Sequence, residues 1–471
     1  MRRLSSSLLI FSTGALACVA GFLFPAQAVT QPPVETIRFA IHPTPAPVPA
    51  LKYELLPSAD EITPGNAVQT YYRAFSPEWF TLGRDTKTYE QISDSLATPL
   101  KDLPLKSWVL DSHQLREVDL AARREYCDWQ LTERIKKEGI GLLLPDVQSL
   151  RQFAVLLAYR ARLLIAAGQY DQAIYTLRTG MAMGRHVAEA PTFINALVGV
   201  AISQLMLKQL EDLIQAPNSP NLYWALSELP VPYINLRSSM QAEKIFLQAT
   251  IPLLRDIGTT PWTAQQQATI RDQLRFLDDG SSGHWRGDLG ATALALMKFY
   301  PEAKRALIAQ GRKPDEVEAM PVIQVVLLRS LQQYEDLRDD LFKWVPLPYW
   351  QARQGIEAVT LRIDKTRQSL EGIPLSSLLP TIGKVSATTA FLDRRIAALR
   401  LVEAVRLYAA AHDGKLPESL ADIKEVPIPD DPMTGKPFDY KSEGDKAILS
   451  GAAPQGLGNN YGLRFELTIA R

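Results

Sequence analysis

Cysteine is almost absent from this chain, with two among 471 residues, Cys18 and Cys127. A scaffold stapled by internal disulfides is excluded once Cys18 leaves with the N-terminus, because one thiol cannot close a bridge. Histidine is nearly as scarce, with five residues, and no HExxH, CxxC or HxxxH spacing occurs. A zinc centre therefore has no motif to rest on. GxSxG, phosphate-loop and dinucleotide fingerprints are also missing, so no cofactor is expected. An excess of one charge sign is lacking too: 51 basic residues face 51 acidic ones, with no basic run. Nucleic-acid binding rests on phosphate neutralisation, so no nucleic-acid partner is expected. Strand-like alternation is scarce before residue 436.

The N-terminus, "MRRLSSSLLIFSTGALACVAGFLFPAQA", has what a secretory signal needs. Arg2 and Arg3 make it positive, Leu8 to Phe24 is an apolar run of 17 residues, and Ala26-Gln27-Ala28 is a small-x-small cleavage site. Cleavage is expected after Ala28. An uncleaved anchor is the rival, since about 17 residues is the lower limit of a span; a lipid-modified Cys18 fits less well, because the apolar core continues beyond it. Cleavage leaves 471 less 28, or 443, residues, with 49 basic and 51 acidic side chains and a net charge near −2. Beyond the signal no run is expected to span a membrane. The expected location is the periplasm, cell envelope or exterior.

Residues 29–64 are proline-rich and favour extended conformations. They read as a linker, although "ALKYELLP" could add an edge strand or lie along the body. From residue 65 to 383 helical periodicity dominates, beginning with Asn66 as a cap after Pro64-Gly65. Leu150, Ala154, Leu157, Ala161 and Leu164 form one helical stripe, and Ile323, Leu327, Leu331, Tyr334, Leu337 and Leu341 another. "FINALVGVAISQLMLKQLEDLI" is apolar almost all round, the mark of a buried helix. Residues 384–471 read as a long helix followed by a small β module. The fold class is thus mainly α, an irregular repeat-like multi-helix body with a C-terminal helix-plus-hairpin module.

Three candidate sites carry chemistry-bearing residues. "DDGSSGHWRGDLG" gathers Asp278, Ser282, His284 and Asp288, residue types able to form a nucleophile relay. The plainer reading is a surface loop whose Asp288 caps the next helix. "DPMTGKPFDY", with Asp430 just before it, offers Asp430, Asp431 and Asp439 as oxygen ligands that calcium would accept. The plainer reading is a helix stop at Asp413-Gly414, a short helical turn "ESLADI", a turn at "DPMTG" and a hairpin. Cys127, between aromatics in "EYCDWQ", reads as a buried structural thiol rather than a nucleophile. His186 and Glu189, three apart on one helix face, read as packing or capping groups.

"LAYRARLLIAAGQYDQAIYTLRTGM" is similar to a tetratricopeptide hairpin through Ala161, Gly168, Tyr170, Ala173 and Leu177, with Arg185 in place of the closing proline and no second copy. "PALKYELLPSADEITPGNAVQTYYRA", "YCDWQ", "RHVAEAPTFINALVG" and "PNLYWALSELP" resemble a family of large secreted planctomycete proteins. That resemblance covers most of the chain and implies export but no activity. The last 75 or so residues resemble type II secretion pseudopilins through Gly414, Pro417, Asp431, Pro432, Gly435, Pro437 and Phe438. Here, however, the helix is far from the N-terminus, the prepilin cleavage motif is absent, and "SGAAPQGLGNNYG" lacks the carboxylates of the family's calcium loop. The expected function is a non-catalytic exported protein that binds or scaffolds envelope or secreted proteins. The rivals are an envelope hydrolase using residues 278–290 and a secretion-system accessory protein.

Overall fold

The structure is a computed structural model, and it describes residues 34–75, 86–104, 106–139, 142, 144–274, 289–368, 375, 379 and 381–470. In chain order the elements are β1 (Thr36–Ile41), β2 (Thr63–Asn66), α1 (Ala67–Ala74), α2 (Thr86–Ser95), α3 (His113–Ala121), β3 (Arg124–Tyr126), α4 (Leu131–Glu138), α5 (Pro145–Ala166), α6 (Tyr170–Ala188), α7 (Phe193–Gln215), α8 (Tyr223–Ser227) and α9 (Arg237–Thr250). There follow α10 (Ala264–Leu274), α11 (Leu289–Ala309), α12 (Pro314–Glu318), α13 (Val322–Phe342), α14 (Tyr349–Gln368), α15 (Thr381–Ala411), β4 (Asp439–Glu443), β5 (Lys446–Gly451) and β6 (Leu463–Ile469). The fold is mainly helical with a small C-terminal strand module. The chain forms two compact units that are not consecutive in sequence.

The larger unit takes Pro32–Thr250, Trp344–Gln354 and Val385–Arg471. Its helices start and stop on local chemistry. Asn66 accepts the Val68 N–H to cap α1, Ser112 that of Leu115 to cap α3, and Thr192 that of Asn195 to cap α7. Gly168, at φ +69°, turns α5 into α6 while the Gln169 N–H reaches back to the Leu164 carbonyl at 2.9 Å. Ala161, Ala173 and Leu177 are buried, and α6 runs on through Arg185 to Ala188.

The seam between α6 and α7 is made of small residues. A Cβ on Gly199 would stand 2.4 Å from the Gly184 carbonyl oxygen, and one on Gly184 2.4 Å from Ser203 Oγ. The two backbones touch, which only glycine permits. Contrary to the expectation from sequence, α7 is long and apolar enough to cross a membrane by length and composition; 56% of its most apolar window is buried in the body.

The C-terminal sheet has strand order β1-β6-β5-β4, with β4-β5 and β5-β6 antiparallel and β1-β6 parallel. The expected hairpin is present, with Gly444 (φ +60°) in its turn, but it is half of a larger sheet. The strand supplied by the leading segment is "TIRFAI", not "ALKYELLP". Its alternation explains this: Phe39 and Ile41 enter the core while Ala40 stays exposed. Phe39 packs on Phe465, ring centroids 4.9 Å apart. The segment is therefore part of the body rather than a free linker. Leu449, Phe465 and Leu467 of the sheet and Leu392, Leu399, Val402 and Val405 of α15 share one core.

The smaller unit includes Ile251–Lys343 and Gly355–Lys384. The stripe expected on α13 is buried, from Ile323 to Leu341. Gln324, fully buried, accepts the Trp262 N–H at 2.8 Å and donates to the Ile257 and Thr260 carbonyls at 2.7 and 2.8 Å. One side chain thus satisfies three backbone groups of the loop before α10.

Candidate functional site

Three of the stretches that carry the secreted-family resemblance meet at one corner of the larger unit. Asn66 both caps α1 and pairs with Asp128, donating Nδ2 to its carbonyl (2.9 Å) and accepting its N–H (3.0 Å). Tyr71 Oη shares a hydrogen bond with His186 Nδ1 at 3.0 Å, and Trp129 Nε1 donates to the His186 carbonyl at 2.9 Å. The Tyr71 and Trp129 rings stack with centroids 6.0 Å apart. Tyr71, Trp129, Cys127 and His186 are all buried.

The titration of these groups opposes nucleophilic chemistry. Burial, with Arg185 adding to it, pushes the His186 imidazole down to about 4, so it is neutral at pH 7. Burial raises the Cys127 thiol well above its ordinary value, and the nearby Glu189 and Asp128 charges raise it further. Burial also raises Glu189, against the opposing pull of Arg185 and the Cys127 N–H. A cysteine relay needs a thiolate beside a protonated or accepting imidazole. Here the thiol is a poorer acid and the imidazole a poorer base than in the free side chains, and the His186 Nδ1 is already engaged by Tyr71. The corner is a polar knot inside the core in which Cys127 and His186 are buried, whereas Glu189, at the end of α6, is exposed. At its rim, Tyr72 and Tyr126 expose 48% and 51% of their surface. Tyr72 packs on Trp129 at 6.5 Å and donates its hydroxyl to Asp146 at 3.0 Å.

Of the aspartates read as calcium ligands, Asp431 is committed elsewhere. Its carboxylate is gripped by Arg394 of α15, whose Nε donates to Oδ1 at 2.8 Å and whose Nη2 donates to Oδ2. Arg394 also donates to the Tyr461, Ala452 and Gly451 carbonyls at 2.6, 2.9 and 3.3 Å. Asp431 in turn accepts the Met433 N–H and the Thr434 hydroxyl, shaping the turn that Gly435 closes at φ +65°. Asp430 is exposed, and Asp439 is exposed at the start of β4. Among the described residues no group of His, Cys, Asp or Glu is arranged to hold a metal ion. Asp278, Ser282, His284 and Asp288 lie outside the described residues.

Sequence reasoning missed the ion pairs that α15 carries inside the core. Arg406 and Glu403 are wholly buried and pair at 2.9 Å. Arg406 also donates to the His42 and Ser219 carbonyls and the Thr44 hydroxyl, fastening the leading segment and the loop after α7 to α15. Tyr223, from the fourth resembling stretch, donates its hydroxyl to the Pro427 carbonyl. The available signal was a set of charged residues, Asp393, Arg394, Glu403 and Arg406, in an otherwise alanine- and leucine-rich helix. In the smaller unit a cleft of about 260 Å³ between α13 and α14 is lined by Arg329, Asp336, Arg362 and Lys365. Its positive charge is largely matched, because Arg362 pairs with Asp340 and Asp336 stands in the wall. Comparison of the chain with protein-family models, with curated proteins and with solved structures gives no match.

Proposed function

We propose that this chain is an exported, non-catalytic helical protein that binds or scaffolds other proteins of the cell envelope, with the corner of α1 and β3 as a contact surface. The observation that carries this reading is exposed Tyr72, packed on Trp129 of the hydrogen-bonded knot, together with exposed Tyr126 on the strand that leads into it. Aromatic side chains on a fixed support are the usual anchors of protein interfaces, because they bury large area for little lost rotamer freedom. The stack of α5, α6 and α7 supports it as well, since paired helices of this kind build faces for partners. A photo-crosslinking residue in place of Tyr126, in the exported protein, tests it. Discrete crosslinked envelope species are expected from that position and not from exposed Asp413; equal yields from both would contradict the reading. Export itself is tested by the mass of the mature N-terminus, expected to begin at Val29.

The order of the C-terminal elements favours a second reading, an accessory protein docking on a secretion apparatus. A long helix, a turn with the Asp431–Gly435 geometry and an antiparallel meander follow one another as in the pseudopilins that the sequence resembles. A filament subunit would need a free helix face. In α15 the buried residues Leu392, Ile396, Ala397, Leu401 and Val402 are distributed around the helix, which leaves docking to the sheet.

A further inference from the structure

Asp393 is the exception among the charged groups of α15. Its carboxylate accepts the Tyr233 N–H at 2.9 Å, and among the described residues no cation pairs with it. Its neighbours on the helix are committed, Arg394 to Asp431 and Arg395 to Glu211 of α7. On α6, Arg185 lies over the Tyr233 ring, 5.9 Å from its centroid. On the segment's own side, Glu228 is influenced by Glu54, not by Asp393. A partly buried carboxylate thus has one hydrogen bond and no counter-ion.

The donor belongs to a segment held mainly by its apolar side chains, Leu229, Tyr233, Ile234 and Leu236, which lie in the core. Leu229–Leu236, between α8 and α9, has no regular structure. Its polar ties to other elements run through Tyr233, whose N–H donates to Asp393 and whose hydroxyl donates to the Met181 carbonyl of α6 at 2.9 Å and neighbours Ser203 of α7. Tyr233 and Ile234 are buried beside Leu229 and Leu236, whereas Val231 is 81% exposed.

We propose that Leu229–Leu236 is a strap latched by Asp393, closed while the carboxyl carries its proton and loosened by its ionisation, so that Tyr233 and Ile234 leave the core as pH rises. A protonated carboxyl still offers its carbonyl oxygen to the Tyr233 N–H. An ionised one must be hydrated, because an uncompensated buried charge is costly, and lifting the strap is the direct route for water. Burial places the Asp393 transition at about 7 against an ordinary 3.8. By linkage, ionisation therefore favours the state in which the group is solvated. The device goes beyond the binding proposal and does not depend on it.

Hydrogen exchange of the full mature protein, followed by mass spectrometry from pH 5.5 to 8.5 and normalised to intrinsic exchange, tests the latch. Protection of the strap peptide is expected to fall at least tenfold between pH 6 and 8.5 while peptides of α7 hold theirs. Asp393→Asn, which keeps the acceptor without the charge, is expected to abolish the fall. Asp393→Ser serves if the asparagine variant does not fold. Protection independent of pH in the wild type would overturn the proposal without any variant, as would an equal fall in a folded Asp393 variant.

Discussion

Arg394 and Asp431, 37 positions apart in sequence, meet in the interior with side chains 0% and 3% exposed, and the guanidinium uses its remaining donors on three carbonyls of the β module. This pair organises the turn at Asp431. Removing one partner strands the other charge, at a cost of roughly 3–5 kcal/mol. Asp431→Asn should therefore lower stability by about that amount in chemical denaturation. Melting temperatures of the wild type should agree in calcium and in chelator. A calcium-dependent rise, lost in the variant, would restore the metal reading.

Gly435 carries two constraints. Its φ of +65° costs other residues roughly 1–2 kcal/mol, and a Cβ would stand 2.6 Å from the Trp350 ring. Gly435→Val should lose more than the backbone term alone. Trp350→Ala should return the steric part and leave the backbone part, which a double-mutant cycle reads directly. Strict additivity of the two variants would show that the ring and the turn do not meet.

The α6–α7 seam predicts that Gly199→Ala destabilises the larger unit, by about 1–3 kcal/mol as for other overpacked sites. The new methyl meets the Gly184 carbonyl, and backbone cannot turn aside as a flexible side chain can. Gly168→Ala, with open space around it, should cost only its backbone strain. Urea midpoints of the two variants measure the contrast, and a larger loss at Gly168 would refute the tight crossing.

Two buried groups pull stability in opposite directions with pH. Asp393 is raised from 3.8 to about 7, so the folded state holds its proton more tightly; that stability is full below pH 3.8 and is lost as pH rises through 7. His186 is lowered from 6.5 to about 4, so its contribution is full above pH 6.5 and is lost as pH falls through 4. Each is worth on the order of 3 kcal/mol. Relative to wild type, Asp393→Asn should gain stability as pH rises from 4 to 7, and His186→Asn should lose it from 4 to 6.5. Denaturation across this range gives both difference curves, and parallel slopes would contradict the assignment.

What was legible in the sequence was local. The stripes of α5 and α13, the Asn66 cap and the Gly168 turn are set by spacing and backbone conformation within a few residues, and they stand where the sequence placed them. The helix stop after α15 is also there, with both Asp413 and Gly414 in the left-handed region. The pairing of β1 with β6 was not legible, because register with a strand over 400 residues away is chosen by the core and not by neighbours in the chain. Charged residues in a helix ordinarily mark its solvated face. On α15 Arg394, Glu403 and Arg406 point inward, and distant segments, the loops at Ser219, Asp431 and Tyr461 among them, supply partners. The convergence of Asn66, Tyr71, Trp129 and His186 was hidden for the same reason.

Binding rather than catalysis is tested most directly by quantitative capture of envelope proteins on the mature chain. Three folded forms are compared at matched thermal stability: wild type, Ser282→Ala/His284→Ala, and Tyr126→Ala. The loop variant should capture the Tyr126-crosslinked partner as the wild type does. Tyr126→Ala should lose at least tenfold, about 1.4 kcal/mol, as a truncated aromatic anchor does. Full capture by Tyr126→Ala, with capture or biological activity lost in the loop variant, would contradict the binding reading and favour the hydrolase.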